Sequence, residues 1–162
     1  MARNLLIGNY FTSTVVDGDD GTRFVSVSDN VLVGGSLGAK QPFAGARLLF
    51  ERNLHAFVGM GYHLYHPPDA GWAFVNATLV QSSDGPYGVN TVCSGGGKTT
   101  LGGSVVATPE GRVTECGQPL QQWQEASGMD RGTLARQWPS SEEIVKEAWE
   151  RLAPVLEGGA VK

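Results

Sequence analysis

Asn30-Val31-Leu32-Val33-Gly34-Gly35 is answered 23 residues later by Asn53-Leu54-His55-Ala56-Phe57-Val58-Gly59. Each begins with an asparagine, continues as a short apolar run and breaks on glycine. Working outward, Asn4-Leu5 precedes the pair, Asn76-Ala77 follows it, and Gly103-Ser104-Val105 stands where a fifth anchor falls. The steps are 26, 23, 23 and 27 residues. A period of this length, built from one short strand and its turns, is the signature of a solenoid in which each unit buries its apolar face on the next. The expected fold is an all-β solenoid, a right-handed parallel β-helix of about five coils, with the asparagines stacked as an uncharged internal ladder.

Composition agrees with a chain that turns often. Its 162 residues include 23 glycines, and the net charge is −4. Basic residues are scattered and outnumbered, so a nucleic-acid footprint is absent. No apolar run approaches the ~18 residues of a membrane span. The sequence predicts strands at Leu5–Ile7, Phe24–Val27, Asn30–Val33, Arg47–Glu51, His55–Val58, Ala73–Val80 and Ser104–Ala107. Two excursions, Gly61–Trp72 and Tyr87–Thr100, exceed a tight corner, and loops on a rigid scaffold are where binding residues collect. Gly95-Gly96-Gly97-Lys98-Thr99-Thr100 has the wrong spacing and context for a phosphate loop.

Residues 1–116 form the expected coil region and 117–162 a tail with a capping helix. In the tail, Ser140 and Glu143 have capping-box spacing. Ile144, Val145, Ala148, Trp149 and Leu152 form an apolar stripe, Glu147 and Arg151 lie i,i+4 on the other side, and Pro154 is expected to end the helix. A solenoid needs its open end covered, which assigns this helix to packing. Nothing comparable covers the N-terminal end, so earlier coils of a longer chain, or another protomer, are expected there.

Cys93 and Cys116 are 23 residues apart, one coil period. Stacked strands ~4.8 Å apart bring such a pair within disulfide reach, and a reduced, packed pair is the alternative. A bridge implies an oxidising compartment, extracellular or in the secretory pathway. Asn76-Ala77-Thr78 is also a glycosylation sequon, a reading that a buried ladder position at Asn76 excludes.

The densest chemical feature is Asp17-Gly18-Asp19-Asp20-Gly21-Thr22. Three carboxylates in four residues read in three ways. One is a solvated acidic turn. Another is a calcium site, although the EF-hand spacing and its distal Glu are missing. The third is glycoside chemistry: in an extended segment Asp17 and Asp19 share a face about 6.6 Å apart, and carboxyl pairs at ~5–5.5 Å suit retaining hydrolysis while pairs at ~6.5–9.5 Å suit inverting. Like-charge proximity raises one carboxyl's pKa, as a general acid requires. His55 reads as a packed or outward-facing strand residue. His63 and His66 with Asp69 are spaced for metal, but Pro67 and Pro68 oppose the helix that would aim both rings together, so no metal site is assigned. Tyr62, Tyr65 and Trp72 offer a platform on which a sugar ring can stack, or a cover for the coil edge.

Asn9-Tyr10-Phe11, Asp19-Asp20-Gly21-Thr22, Ser28-Asp29-Asn30-Val31 and Lys40-Gln41-Pro42-Phe43-Ala44-Gly45 together resemble the pectin lyase-like superfamily, especially its glycoside-hydrolase-type and uncharacterised members. Trp123 with Gly128-Met129-Asp130-Arg131-Gly132-Thr133 resembles a segment near the end of such domains. The resemblance implies Asp19 and Asp20 as an acid/base or nucleophile pair in a carbohydrate groove. It places Lys40 beside them one coil on, orienting a carboxylate or sugar hydroxyl, with Asp17, Tyr62, Tyr65 and Trp72 as substrate contacts. Pectate lyases of this fold use calcium and an arginine base, a role open to Arg47 or Arg52. Two departures oppose activity: Ala46 stands where members often carry a His, and the coils are few. The expectation is therefore a carbohydrate-active domain with a polysaccharide or glycan partner and no required cofactor, or a non-catalytic glycan-binding module or decayed copy.

Overall fold

The computed structural model of the chain describes residues 1–7, 15–17, 21–41, 46–64, 71–89, 93 and 99–158, with the backbone alone at Asp17, Gln41, Leu64, Val89 and residues 155–158. It is a parallel β-solenoid of about three turns with a C-terminal helix. The first sheet stacks β1 (Leu5–Ile7), β4 (Val31–Val33), β7 (Leu54–Val58), β10 (Thr78–Gln81), β14 (Val105–Thr108) and β17 (Leu134–Gln137), all parallel. The second stacks β3 (Arg23–Ser28), β6 (Ala46–Glu51), β9 (Trp72–Val75) and β13 (Thr99–Gly102). The third stacks β2 (Val16–Asp17), β5 (Leu37–Gln41), β8 (Met60–Leu64) and β12 (Gly88–Val89). A small sheet of β11 (Gly85–Pro86), β15 (Val113–Glu115) and β16 (Gln118–Pro119) completes the last coil.

The asparagine ladder is real over its first three rungs. Asn30 Nδ2 donates to Asn53 Oδ1 at 2.9 Å and Asn4 Nδ2 to Asn30 Oδ1 at 3.0 Å, and the backbone N–H of Asn4 and of Asn30 each donates to the same oxygen as its side chain. Asn30 and Asn53 are fully buried, so each amide satisfies donors that would otherwise be stranded inside the coil. The fourth rung departs from the sequence reading. Register aligns Val31, Leu54, Thr78 and Val105, which puts Ala77 and Ser104 in the ladder position. Ser104 Oγ accepts from the Ala77 N–H at 3.1 Å, and Thr133 Oγ1 from the Ser104 N–H at 3.1 Å. Asn76 lies one residue earlier, exposed, at the corner.

That corner divides the expected strand Ala73–Val80 into β9 and β10. Asp29, Arg52 and Asn76 occupy the left-handed region there, with φ of 56°, 52° and 53°. Gly103 and Gly132 repeat the conformation in later coils, with φ of 66° and 79°. A non-glycine residue costs about 1–2 kcal/mol in this region, and the closed turn on either side imposes it. Arg52 uses Nε and Nη2 to grip both oxygens of Asp29, at 2.8 and 3.0 Å, which holds the Asp29 carboxyl below its usual range.

The interior stacks residue on residue. Val27, Phe50, Phe74 and Leu101 share one register column, and Trp72 stacks on Phe74 with centroids 6.0 Å apart. The tail holds two helices where its sequence indicates one. α1 (Leu120–Ser127) turns Leu120 and Trp123 into the same core and closes the C-terminal end. α2 (Ser141–Gly158) lies instead on the outside of the first sheet, with Ile144 against Ala56, Val80 and Ala107. Its capping box forms: Ser140 N–H donates to Glu143 Oε2 at 2.7 Å and Glu143 N–H to Ser140 Oγ at 3.2 Å. Two details differ from expectation. Pro154 sits inside the helix rather than ending it. Glu147 and Arg151, 2.6 Å apart, face the sheet, where Arg151 also donates to Thr78 Oγ1 at 3.1 Å and to the Arg52 carbonyl.

His55 is packed inward between Leu32 and Leu79, with neither ring nitrogen hydrogen-bonded. Room for it comes from Gly38, where a Cβ would lie 2.6 Å from His55 Nδ1. Burial, and secondarily Arg151, pushes its pKa down to about 3 from 6.5. The unfolded chain therefore binds a proton below pH 6.5 that the fold refuses, so stability is lost as pH falls from 6.5 toward 3. At about 1.4 kcal/mol per pH unit, His55 alone removes about 2 kcal/mol by pH 5. The variant His55→Leu is expected to flatten this acid limb in urea titrations between pH 7 and 4, and a limb as steep as wild type's contradicts the assignment.

Candidate functional site

The third sheet gathers the polar residues of interest. Parallel register pairs Val16 with Ala39 and Asp17 with Lys40. One coil on, it pairs Ala39 with Tyr62 and Lys40 with His63. Ala39 and Tyr62 are fully buried, so the next residues along, Lys40 and His63, turn outward and are half-buried. Asp17, Lys40 and His63 therefore occupy one register column at one residue per coil, about 4.8 Å apart. The register partner of Lys40 is Asp17, and Asp19, expected beside it, lies outside the described residues. Burial first, and then the neighbouring Lys40 charge, lower the pKa of His63, which favours the neutral imidazole next to an ammonium.

Tyr62 and Trp72 are corrected outright as sugar platforms. Both belong to the hydrophobic interior, Tyr62 at 0% and Trp72 at 3% exposure. Tyr62 packs edge-on to Tyr87, with centroids 5.1 Å apart, and donates its hydroxyl to the fully buried Glu115 at 3.0 Å. Gly88 makes this possible: a Cβ there would lie 2.2 Å from the Tyr62 ring. Burial, then the Glu115 and Asp130 charges, raise the Tyr62 pKa, so the phenol keeps its proton and stays a donor. The sequence signal for an aromatic platform was composition within an apparent loop, and strand β8 inside that loop turns Tyr62 inward.

Asp130, quoted above for its resemblance to an end segment, is structural. It is buried, accepts from Thr133 Oγ1 at 2.6 Å and takes the Tyr87 hydroxyl on its other oxygen. Gln124 Nε2 then ties the Asp130 and Thr133 carbonyls to α1 at 2.8 and 2.9 Å. This network locks the closing helix onto the last coil. Arg47 lies over the Phe24 ring at 5.3 Å, and Arg52 is held by Asp29 and Glu51, so neither arginine stands beside the Lys40 column. Asp19, Asp20, Tyr65, His66 and Asp69 lie outside the described residues, and with them the acidic turn as a calcium or catalytic site.

Cys93 and Cys116 form a disulfide with Cα atoms 5.4 Å apart, as one-coil stacking allows, and the bond is compatible with an extracellular location. Among the described residues, the one group of metal-binding types close enough to share an ion is Cys93, Glu115 and Cys116, and the disulfide engages both sulfurs. No described helix is long and apolar enough to cross a membrane.

No family model matches the chain, and no curated protein or solved structure matches it. The β-solenoid rests on strand register, and membership of the pectin lyase-like superfamily has no support from these comparisons. The electrostatic coupling within the column is directly measurable. Replacing Lys40 by alanine is expected to move the His63 pKa upward in an NMR titration of its ring protons, while an unchanged value means the two side chains do not face one another.

Proposed function

We propose that the protein is a carbohydrate-binding β-solenoid whose third sheet reads an acidic glycan along the Asp17–Lys40–His63 column. The observation that carries this reading is the register itself, which sets a cation, an imidazole and a carboxylate position at one per coil. Their spacing is comparable to the length of a pyranose unit. Lys40 is a point charge suited to a uronate carboxylate. Bound anionic sugar would offset the Lys40 charge at His63 and let the imidazole take up a proton, giving a second charge-assisted contact.

A hydrolytic reading is favoured by one feature: the chain runs from Asp17, register partner of Lys40, directly into Asp19 and Asp20. In that reading Asp19 and Asp20 act as the acid/base or nucleophile pair on a glycan held by the column. The burial of Tyr62 and Trp72 removes a stacking contribution from both readings, and binding is preferred because it calls only on the column.

A panel of polyuronates and neutral polysaccharides, assayed for binding and for reducing-sugar release, separates the readings. Binding is expected to prefer polyuronates, to weaken more than tenfold in Lys40→Ala and to persist in Asp20→Asn. Release by wild type that disappears in Asp20→Asn would establish hydrolysis. Absence of binding and release from folded protein would overturn the carbohydrate reading.

A further inference from the structure

Asn76-Ala77-Thr78 is the one Asn-x-Ser/Thr sequence in the chain. Burial in the ladder would exclude a glycan there, and register removes that objection by giving the ladder position to Ala77. Asn76 belongs to a second column, the corner that precedes the first sheet in every coil. Arg3, Asp29, Arg52, Asn76, Gly103 and Gly132 follow one another along it, all with positive φ.

The ladder and the corner use asparagine differently. Asn30 and Asn53 are buried, and their side-chain amides donate within the coil. Asn76 is exposed, and among the described residues its side chain makes no hydrogen bond. The neighbouring corners leave room around it. Toward the C-terminal coils, a Cβ at Gly103 would lie 2.3 Å from Asn76 Oδ1, so glycine there makes space for the carboxamide. A Cβ at Gly132 would meet only the Gly103 backbone, at 3.7 Å. Toward the N-terminal coils, the Arg52 guanidinium is drawn onto Asp29 and Glu51. Asn76 therefore stands between a tethered arginine and two corners without side chains.

We propose that Asn76 is an N-glycosylation site, modified as the chain enters an oxidising secretory compartment. The Cys93–Cys116 disulfide is compatible with such a compartment. In the transfer, the Asn76 amide nitrogen attacks the anomeric carbon of a polyprenyl-pyrophosphate-linked oligosaccharide. A C–N bond forms, the nitrogen gives up one proton, and the polyprenyl pyrophosphate leaves with the electron pair of the broken C–O bond. Thr78, which the fold buries against Glu147 and Arg151, is read by the transferase before the coil closes. Folding then sets the glycan on the corner between the second and first sheets, a surface position suited to a bulky, solubilising group. The Lys40 column lies on the third sheet, so the two sites are independent.

The test directs the chain through the secretory pathway of cultured eukaryotic cells and examines the disulfide-bonded protein in the medium by mass spectrometry. A glycan at Asn76, released by peptide-N-glycosidase, is expected on most of the secreted protein. Asn76→Gly is expected to abolish the modification and still be secreted with its disulfide. Thr78→Ser retains a hydroxyl for Glu147 and Arg151 and is expected to keep the glycan. Secreted wild type without sugar at Asn76 would overturn the proposal. A glycan confined to retained chains without the disulfide would overturn it too, because a modified Asn76 would then be incompatible with the fold.

Discussion

An asparagine amide that bridges to the same position one coil later fixes how every other residue stacks. Asn30 and Asn53 are fully buried, and their side chains satisfy the backbone N–H and amide of the preceding rung. A slip of one residue would strand these donors in an apolar interior, at about 1–3 kcal/mol for each unsatisfied group. The same slip would turn each strand's inward set outward. The ladder therefore determines the column Val27–Phe50–Phe74–Leu101 in the core and, one face over, the column Asp17–Lys40–His63.

The fold was readable because a solenoid repeats its signal. Asparagine followed by an apolar run at near-constant spacing located β1, β4 and β7, and the one-coil spacing of Cys93 and Cys116 matched a disulfide. Reading failed where the repeat changes chemistry. At Asn76 the residue type suggested the ladder, but an asparagine is equally suited to the left-handed corner, and register gives the ladder position to Ala77. Asn76 is exposed, so burial no longer argues against its sequon. α1 was missed because Leu120 and Trp123 are two apolar positions in a polar stretch, too few to show a helical period.

The candidate site was legible only in part. Lys40 was singled out, and register places it opposite Asp17, while Asp19 and Asp20, expected near it, fall outside the described residues. Tyr62 and Trp72 appeared to be loop aromatics and are core residues, since β8 and β9 extend into the apparent loop. The interior also holds charges that composition cannot place: Glu115 under Tyr62, and Asp130 between Tyr87 and Thr133. Each carboxylate is matched by a phenol whose proton burial retains, so these groups serve closure of the last coil rather than chemistry at the surface.

Coil register underlies both the core and the site, and comparing two asparagines by urea denaturation tests it most directly. Asn53→Ala leaves the Asn30 donors without their acceptor and is expected to lower stability by about 2–4 kcal/mol. Asn76→Gly, at an exposed left-handed corner that glycine adopts freely, is expected to change it by less than about 0.5 kcal/mol. The reverse order of sensitivity would mean that Asn76 occupies the ladder, and would contradict the register from which the site is derived.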